Sequence, residues 1–142
     1  MKEKHLCATW DLDRFWFTDN DGDEMDPLGP DPKGNLIMAK DGNYAFTIMR
    51  VARTYYASGD LLGGTLAEKG EAADGYVSFG GKWQFDGETI TFDVTYSFFP
   101  NWVNKQQKRL ASLDKNTLTL RTTGPILMAG RIHRGAARWH RL

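Results

Sequence analysis

The sequence predicts an all-β fold: an eight-stranded antiparallel up-and-down barrel with one short helix in a lid segment. Three observations carry that reading. Eight Phe, five Trp and five Tyr stand beside fifteen Gly in 142 residues, which pairs ring-rich strand formers with turn formers. Eight segments alternate or run apolar and are separated by turn dipeptides. Only one stretch has the start signal of a helix. An open β-sandwich shares these features. Closure is preferred because it removes exposed edges, and a barrel of this size is filled by side chains or holds one small ligand.

Residues 6–17 read as one long strand, with Trp10, Leu12, Arg14 and Trp16 on one parity and Asp11, Asp13, Phe15 and Phe17 on the other. The acidic stretch from Asp19 to Glu24, followed by Pro27, Gly29, Pro30 and Pro32, is loop as far as Gly34. Residues 35–39 and 43–50 form a hairpin about Asp41-Gly42. Alternation disappears over 51–74, where Thr65-Leu66-Ala67-Glu68 has the spacing of a capping box. Strands resume at 75–85, turn at Asp86-Gly87, and continue over 88–99 with Ile90, Phe92, Val94, Tyr96 and Phe98 on one parity. After Pro100-Asn101-Trp102 come 104–113, 117–123 and 130–141, separated by Asp114-Lys115-Asn116 and Gly124-Pro125. No internal repeat is evident, and the whole chain, 1–142, reads as one domain.

Composition narrows the function. Eighteen basic residues balance eighteen acidic ones, so no net field favours nucleic acid or an anionic membrane. The lone Cys7 cannot close an intrachain disulfide, which fits a reducing compartment and a cytoplasmic location. No secretory leader is read at the N-terminus, and no apolar run reaches the about 18 residues a membrane helix needs. Asp19, Asp21 and Asp23 alternate as calcium ligands would, but Gly22 falls fourth and Pro30 twelfth where an EF-hand needs Gly sixth and Glu twelfth. The histidines His5, His133 and His140 are scattered and have no metal-site spacing. Neither a metal nor a cofactor is expected. Phosphate-cradling loops and a serine nucleophile elbow are also absent.

Several motifs occur together in order. Ala8-Thr9-Trp10 opens the first strand, Pro27-Leu28-Gly29-Pro30-Asp31-Pro32-Lys33-Gly34 follows, then Asp41-Gly42 with Met49-Arg50 and Ala57-Ser58-Gly59-Asp60. Gly75-Tyr76 with Gly81 and Trp83, Ser97-Phe98-Phe99-Pro100-Asn101-Trp102, and Leu118-Thr119-Leu120 complete the set. Together they resemble the bacterial and fungal lipocalin-like domain family over nearly the whole chain. The resemblance implies a calycin-type barrel, in proteins often encoded near small-molecule metabolic enzymes and some of them suspected of cyclase, isomerase or lyase work. It supplies no agreed catalytic set. Where polar residues, sometimes His or Glu, are expected on the fifth strand, this chain has Phe92, Asp93 and Thr95.

Parity proposes the site residues. Trp16, Phe79, Trp83 and Phe98 would line the interior, with ordinary core as the alternative role for each ring. Polar residues sharing an inward parity suggest more than core. Arg14 lies between Leu12 and Trp16, Tyr44 and Arg50 share parity with Phe46, and Gln107 shares parity with Arg109. An inward Arg14 needs a carboxylate, a wet cavity or an anionic ligand, and one bulge would turn it outward. Tyr96, Tyr44 and His133 are candidates for moving a proton, since imidazole titrates near neutrality. Arg14 or Arg109 would steady an enolate or carboxylate. Trp102, with Tyr56 in the lid segment, would form a ligand-contacting rim or, for Pro100-Asn101-Trp102, simply a rigid corner, and Trp10 with Arg138 or Arg141 would close one barrel end structurally.

The expected partner is a small hydrophobic organic molecule, with no nucleic acid and no membrane, and a homodimer is left open. Two functions fit: a cofactor-independent cyclase, isomerase or lyase, or a carrier or sensor that releases its ligand unchanged. A barrel filled by its own rings and acting through its surface is the third.

Overall fold

The computed structural model describes residues 1–142. A one-turn helix α1 (Glu3–Leu6) precedes β1 (Ala8–Asp19), β2 (Glu24–Met25), β3 (Lys33–Met38) and β4 (Asn43–Met49). Helix α2 (Leu66–Asp74) then leads to β5 (Tyr76–Phe85), β6 (Thr89–Ser97), a 3-10 turn (Pro100–Trp102), β7 (Gln106–Asp114), β8 (Thr117–Thr122), β9 (Ile126–Met128) and β10 (Arg131–Arg141). The strands form one antiparallel sheet in the order β2-β1-β3-β4-β5-β6-β7-β8-β10-β9, and pairing of β1 with β10 closes it. Eight strands make the barrel, as the sequence predicts. The short β2 and β9 extend the sheet on either side of the closing seam at one end.

Local chemistry explains the connections. Gly42 and Gly87 take left-handed φ values of 88° and 102° in the two tight turns, a region open to glycine at no steric cost. Thr65 Oγ1 accepts from the Glu68 amide at 3.1 Å while Glu68 Oε1 accepts from the Thr65 amide at 2.9 Å, so the capping box starts α2.

One end is closed by packing. The indole of Trp10 is fully buried and donates to the Leu6 carbonyl at 2.9 Å. The Arg141 guanidinium lies 4.4 Å from its ring centroid and donates to the His5 carbonyl. Of the two arginines proposed for this stack, Arg141 makes it, while Arg138 pairs with Asp13 outside the barrel. Trp139, Trp83, Phe92 and Tyr44 fill the interior above.

Two bulges decide which residues face in. On β1, Leu12 pairs with Trp139 but Arg14 pairs with Arg138, so Asp13 is an extra residue and parity reverses beyond it. Leu12 points inward, and so do Phe15 and Phe17. Arg14 and Trp16 lie on the outer face, a correction to the strict alternation read from the sequence. On β6, Val94 pairs with Gly81 but Tyr96 pairs with Gly80, leaving Thr95 extra. Ile90, Phe92 and Val94 are therefore buried, whereas Tyr96 and Phe98 are about half exposed on the outside, again contrary to the parity expectation.

The second bulge fits its glycines. A Cβ on Gly81 would sit 2.2 Å from the Asp93 carbonyl oxygen, part of the backbone. The atoms nearest a Cβ on Gly80 belong to Tyr96, the closest being its hydroxyl oxygen at 2.1 Å, and that exposed side chain can swing away. Gly81→Ala is expected to cost about 1–3 kcal/mol in urea unfolding, and Gly80→Ala less than half as much. Equal costs would contradict the bulge assignment. Arg141→Ala is expected to lower stability by about 1 kcal/mol through loss of the stacked cation on Trp10, measured by the same unfolding.

Candidate functional site

The half of the barrel away from Trp10 is hollow. Its cavity has a volume of about 430 Å³ and is lined by 20 residues, 15 of them hydrophobic, a size and lining typical of small-molecule sites. The space exists because β10 places Gly135 and Ala137 on the inner face, where larger side chains would fill it. Gly135 is matched to Phe17, whose ring would lie 2.7 Å from a Cβ at that position.

Rings organise one wall. Phe46 from β4 and Phe79 from β5 stack at 4.5 Å between centroids, Trp102 from the 3-10 turn meets Phe79 edge-on at 5.3 Å, and Phe99 meets Trp102 edge-on at 5.4 Å. Phe99 and Trp102 form a rim above the cavity. Leu28 and residues 126–128 of β9 complete its margin.

Few polar groups reach this space. Thr122 of β8 is buried, and its hydroxyl accepts from the Gly135 amide at 3.1 Å. Asp74, at the end of α2, is exposed at the mouth. Arg109 of β7 projects from the wall between Ile90 of β6 and Thr122 of β8. Burial pushes its guanidinium down to about 10, opposed by the Tyr44 phenol, so it is charged at neutral pH. It donates to the Lys108 carbonyl at 2.9 Å and, more weakly, to Gln107 Oε1 at 3.4 and 3.5 Å.

A larger groove, about 540 Å³, lies outside the barrel between residues 49–56 and α2. Much of its polar lining is already engaged. Arg50 donates to the Pro27 carbonyl at 2.9 Å, Arg53 to the Gly75 carbonyl at 3.1 Å, and Glu68 accepts from the Ala57 amide at 2.9 Å. The Arg53 contact ties the lid segment to the start of β5 and the Glu68 contact ties the lid to itself, so this polar lining is structural and the interior cavity is the candidate site.

The structure sorts the residues proposed from sequence. Phe79, Trp102 and Arg109 lie on the cavity wall, with Gln107 on the same inward parity, hydrogen-bonded to Arg109. Trp83 faces inward but belongs to the packed end, donating to the Ala39 carbonyl at 3.0 Å. Tyr44 is also inward, below the cavity, with its hydroxyl donating to the Asp93 carbonyl at 3.0 Å. Burial, with the nearby Tyr96 and Asp93, pushes its phenol well above the ordinary value.

His133 is buried opposite Asp19, with Nδ1 at 3.1 Å from the Arg131 carbonyl and its ring edge-on to Phe17 at 6.3 Å, set off from the cavity wall. Arg50 and Tyr56 line the outer groove rather than the interior. Outside the barrel, Arg14 lies 4.5 Å from the Trp16 ring centroid and pairs with Asp26 at 3.0 Å and Glu24 at 3.4 Å. Tyr96 covers Gly80, and Phe98 packs edge-on against Tyr76 at 5.6 Å.

Asp19, Asp21 and Asp23 have carboxylate oxygens within 4.8 Å of one another. Asp19 spends its oxygens on the Asp21 and Asp23 amides, at 2.9 and 3.0 Å, and on Arg131 at 3.1 Å. The cluster is thus tied into its own loop.

Parity reasoning missed Phe15, Phe17, Thr122 and the β9 margin. A signal for the first two was present: the pairs Trp10/Leu12 and Phe15/Phe17 each have spacing two but are offset by an odd number, which two apolar runs on one face require only if a residue is bulged out between them.

Comparison with known proteins agrees with this fold. The sequence profile of the lipocalin-like domain matches residues 8–142. A carrier protein for 4'-hydroxy-3'-methoxypropiophenone, ppsC of Aspergillus oryzae, is 23% identical over 103 residues, an alignment covering 67% of this chain and 93% of that protein. No helix is long and apolar enough to cross a membrane. From its match over residues 8–142 and its closed eight-stranded barrel, the chain belongs to the lipocalin-like domain family.

Proposed function

We propose that this protein is a carrier, taking one small, largely apolar aromatic molecule into the barrel and releasing it unchanged. The observation that supports this most is the hollow half of the barrel, with stacked rings on one wall and a rim of Phe99 and Trp102. Flat ligands gain both burial and ring-on-ring contact there.

The residues proposed to move protons are disposed for other work. Tyr96 lies outside, Tyr44 is held by a backbone carbonyl, and His133 is set off behind Phe17. A carrier needs none of them, whereas a cyclase, isomerase or lyase needs a proton-transfer group within hydrogen-bond reach of its substrate. The Aspergillus relative is named for carrying an aromatic ketone, and the ring-lined wall suits that class of molecule. A reducing, cytoplasmic setting belongs to the same proposal and rests on the lone Cys7.

The proposal is tested by titrating the protein calorimetrically with 4'-hydroxy-3'-methoxypropiophenone, then recovering the ligand for mass spectrometry and chromatography. One equivalent is expected to bind and to return with mass and retention time unchanged. Tyr96→Phe is expected to bind as the parent does, and Ala137→Leu, which fills the cavity from β10, at least about tenfold more weakly. Protein-dependent conversion to an isomer or a cleavage product would overturn the carrier reading in favour of catalysis.

A further inference from the structure

The Arg109 guanidinium has a more specific use. Its five N–H bonds are unevenly occupied. One Nη1 hydrogen goes to the Lys108 carbonyl at 2.9 Å, and Gln107 Oε1 sits across the Nη1/Nη2 edge at 3.5 and 3.4 Å. This arrangement leaves the Nε/Nη2 edge, two parallel N–H bonds, with no protein acceptor. That edge matches the two oxygens of a carboxylate in spacing and direction.

No carboxylate of the protein takes it. Arg14, Arg131 and Arg138 pair with Asp or Glu side chains; Arg109 has no such partner, and unlike the other arginines without one it lines the interior cavity. Its β7 neighbours on the inner face are Gln107, Ala111 and Leu113, and the residues across from it are Ile90 and Thr122, all uncharged. A cation kept in such surroundings without a counter-ion costs several kcal/mol. The cost is offset when a ligand supplies the missing charge.

We propose that the carried molecule bears a carboxylate, with its ring against Phe46, Phe79 and Trp102, and that Arg109 selects it by a bidentate contact through the Nε/Nη2 edge. This inference rests on the carrier reading and adds the chemical class of its ligand. Gln107 is a positioning residue. By holding the far edge of the guanidinium, it leaves the Nε/Nη2 edge for the ligand.

The test uses two probes of nearly equal shape, 1-naphthylacetate and 2-(1-naphthyl)ethanol, titrated calorimetrically at neutral pH against the intact protein and against Arg109→Met and Gln107→Ala. The acid is expected to bind at least about tenfold more tightly than the alcohol. Arg109→Met is expected to erase that preference, so that the acid binds no more tightly than the alcohol. Gln107→Ala is expected to reduce the preference without abolishing it.

Equal binding of both probes by the intact protein, or a preference that survives Arg109→Met, overturns the carboxylate inference and leaves the carrier reading standing. Should neither probe bind, and the neutral dye N-phenyl-1-naphthylamine show no fluorescence gain, both fall together. Even if a variant fails to fold, equal binding of the two probes by the intact protein still overturns the inference.

Discussion

The ladder between β1 and β10 is the constraint on which the rest of the molecule depends. Without it the sheet has two open edges and no interior. With it, inward side chains are sealed from water on all sides except the mouth. The seam also contains an irregularity that fixes its contents. Because Asp13 is bulged out, β1 sends Trp10 and Leu12 into the packed end and Phe15 and Phe17 into the hollow end. A ladder without the bulge would put Arg14 and Trp16 into the cavity instead, exchanging two phenyl rings for one indole and a cation that now has two carboxylates outside.

The molecule thus divides by residue size. Trp10, Trp83, Phe92 and Trp139 fill the end stacked under Arg141, and Gly135 with Ala137 empties the other. Stability and binding are assigned to different ends of one barrel. Trp102 joins them, since its ring sits on Phe79, which itself packs on Phe46 and Phe92 of the core. The rim is therefore held by the same rings that line the wall.

Much of this was legible in the sequence, and what was not had local causes. Glycine turns at Asp41-Gly42 and Asp86-Gly87, the capping box at Thr65, and the alternating runs of β4 and β8 are short-range signals, and the structure follows them closely. The strands β2 and β9 are two and three residues long, too short for any period to register. Arg14, Trp16, Tyr96 and Phe98 were misplaced for one reason: a bulge inserts one residue, and every side chain beyond it changes face. Arg50 and Tyr56 lie where β4 ends and alternation no longer reports direction. Phe79 and Arg109 precede any bulge on their strands or lie on strands with none, so their parity carried through.

The central claim is that the hollow half of the barrel, between the Phe79 wall and Arg109, is where a small molecule sits. A crystal structure with an iodinated aryl carboxylate tests it most directly, because anomalous scattering locates iodine independently of the protein phases. The account predicts an iodine peak inside the barrel near Phe46, Phe79 and Trp102, with the carboxylate on the Nε/Nη2 edge of Arg109. A peak in the outer groove beside Arg53 and Tyr56, with the interior bare, would contradict it.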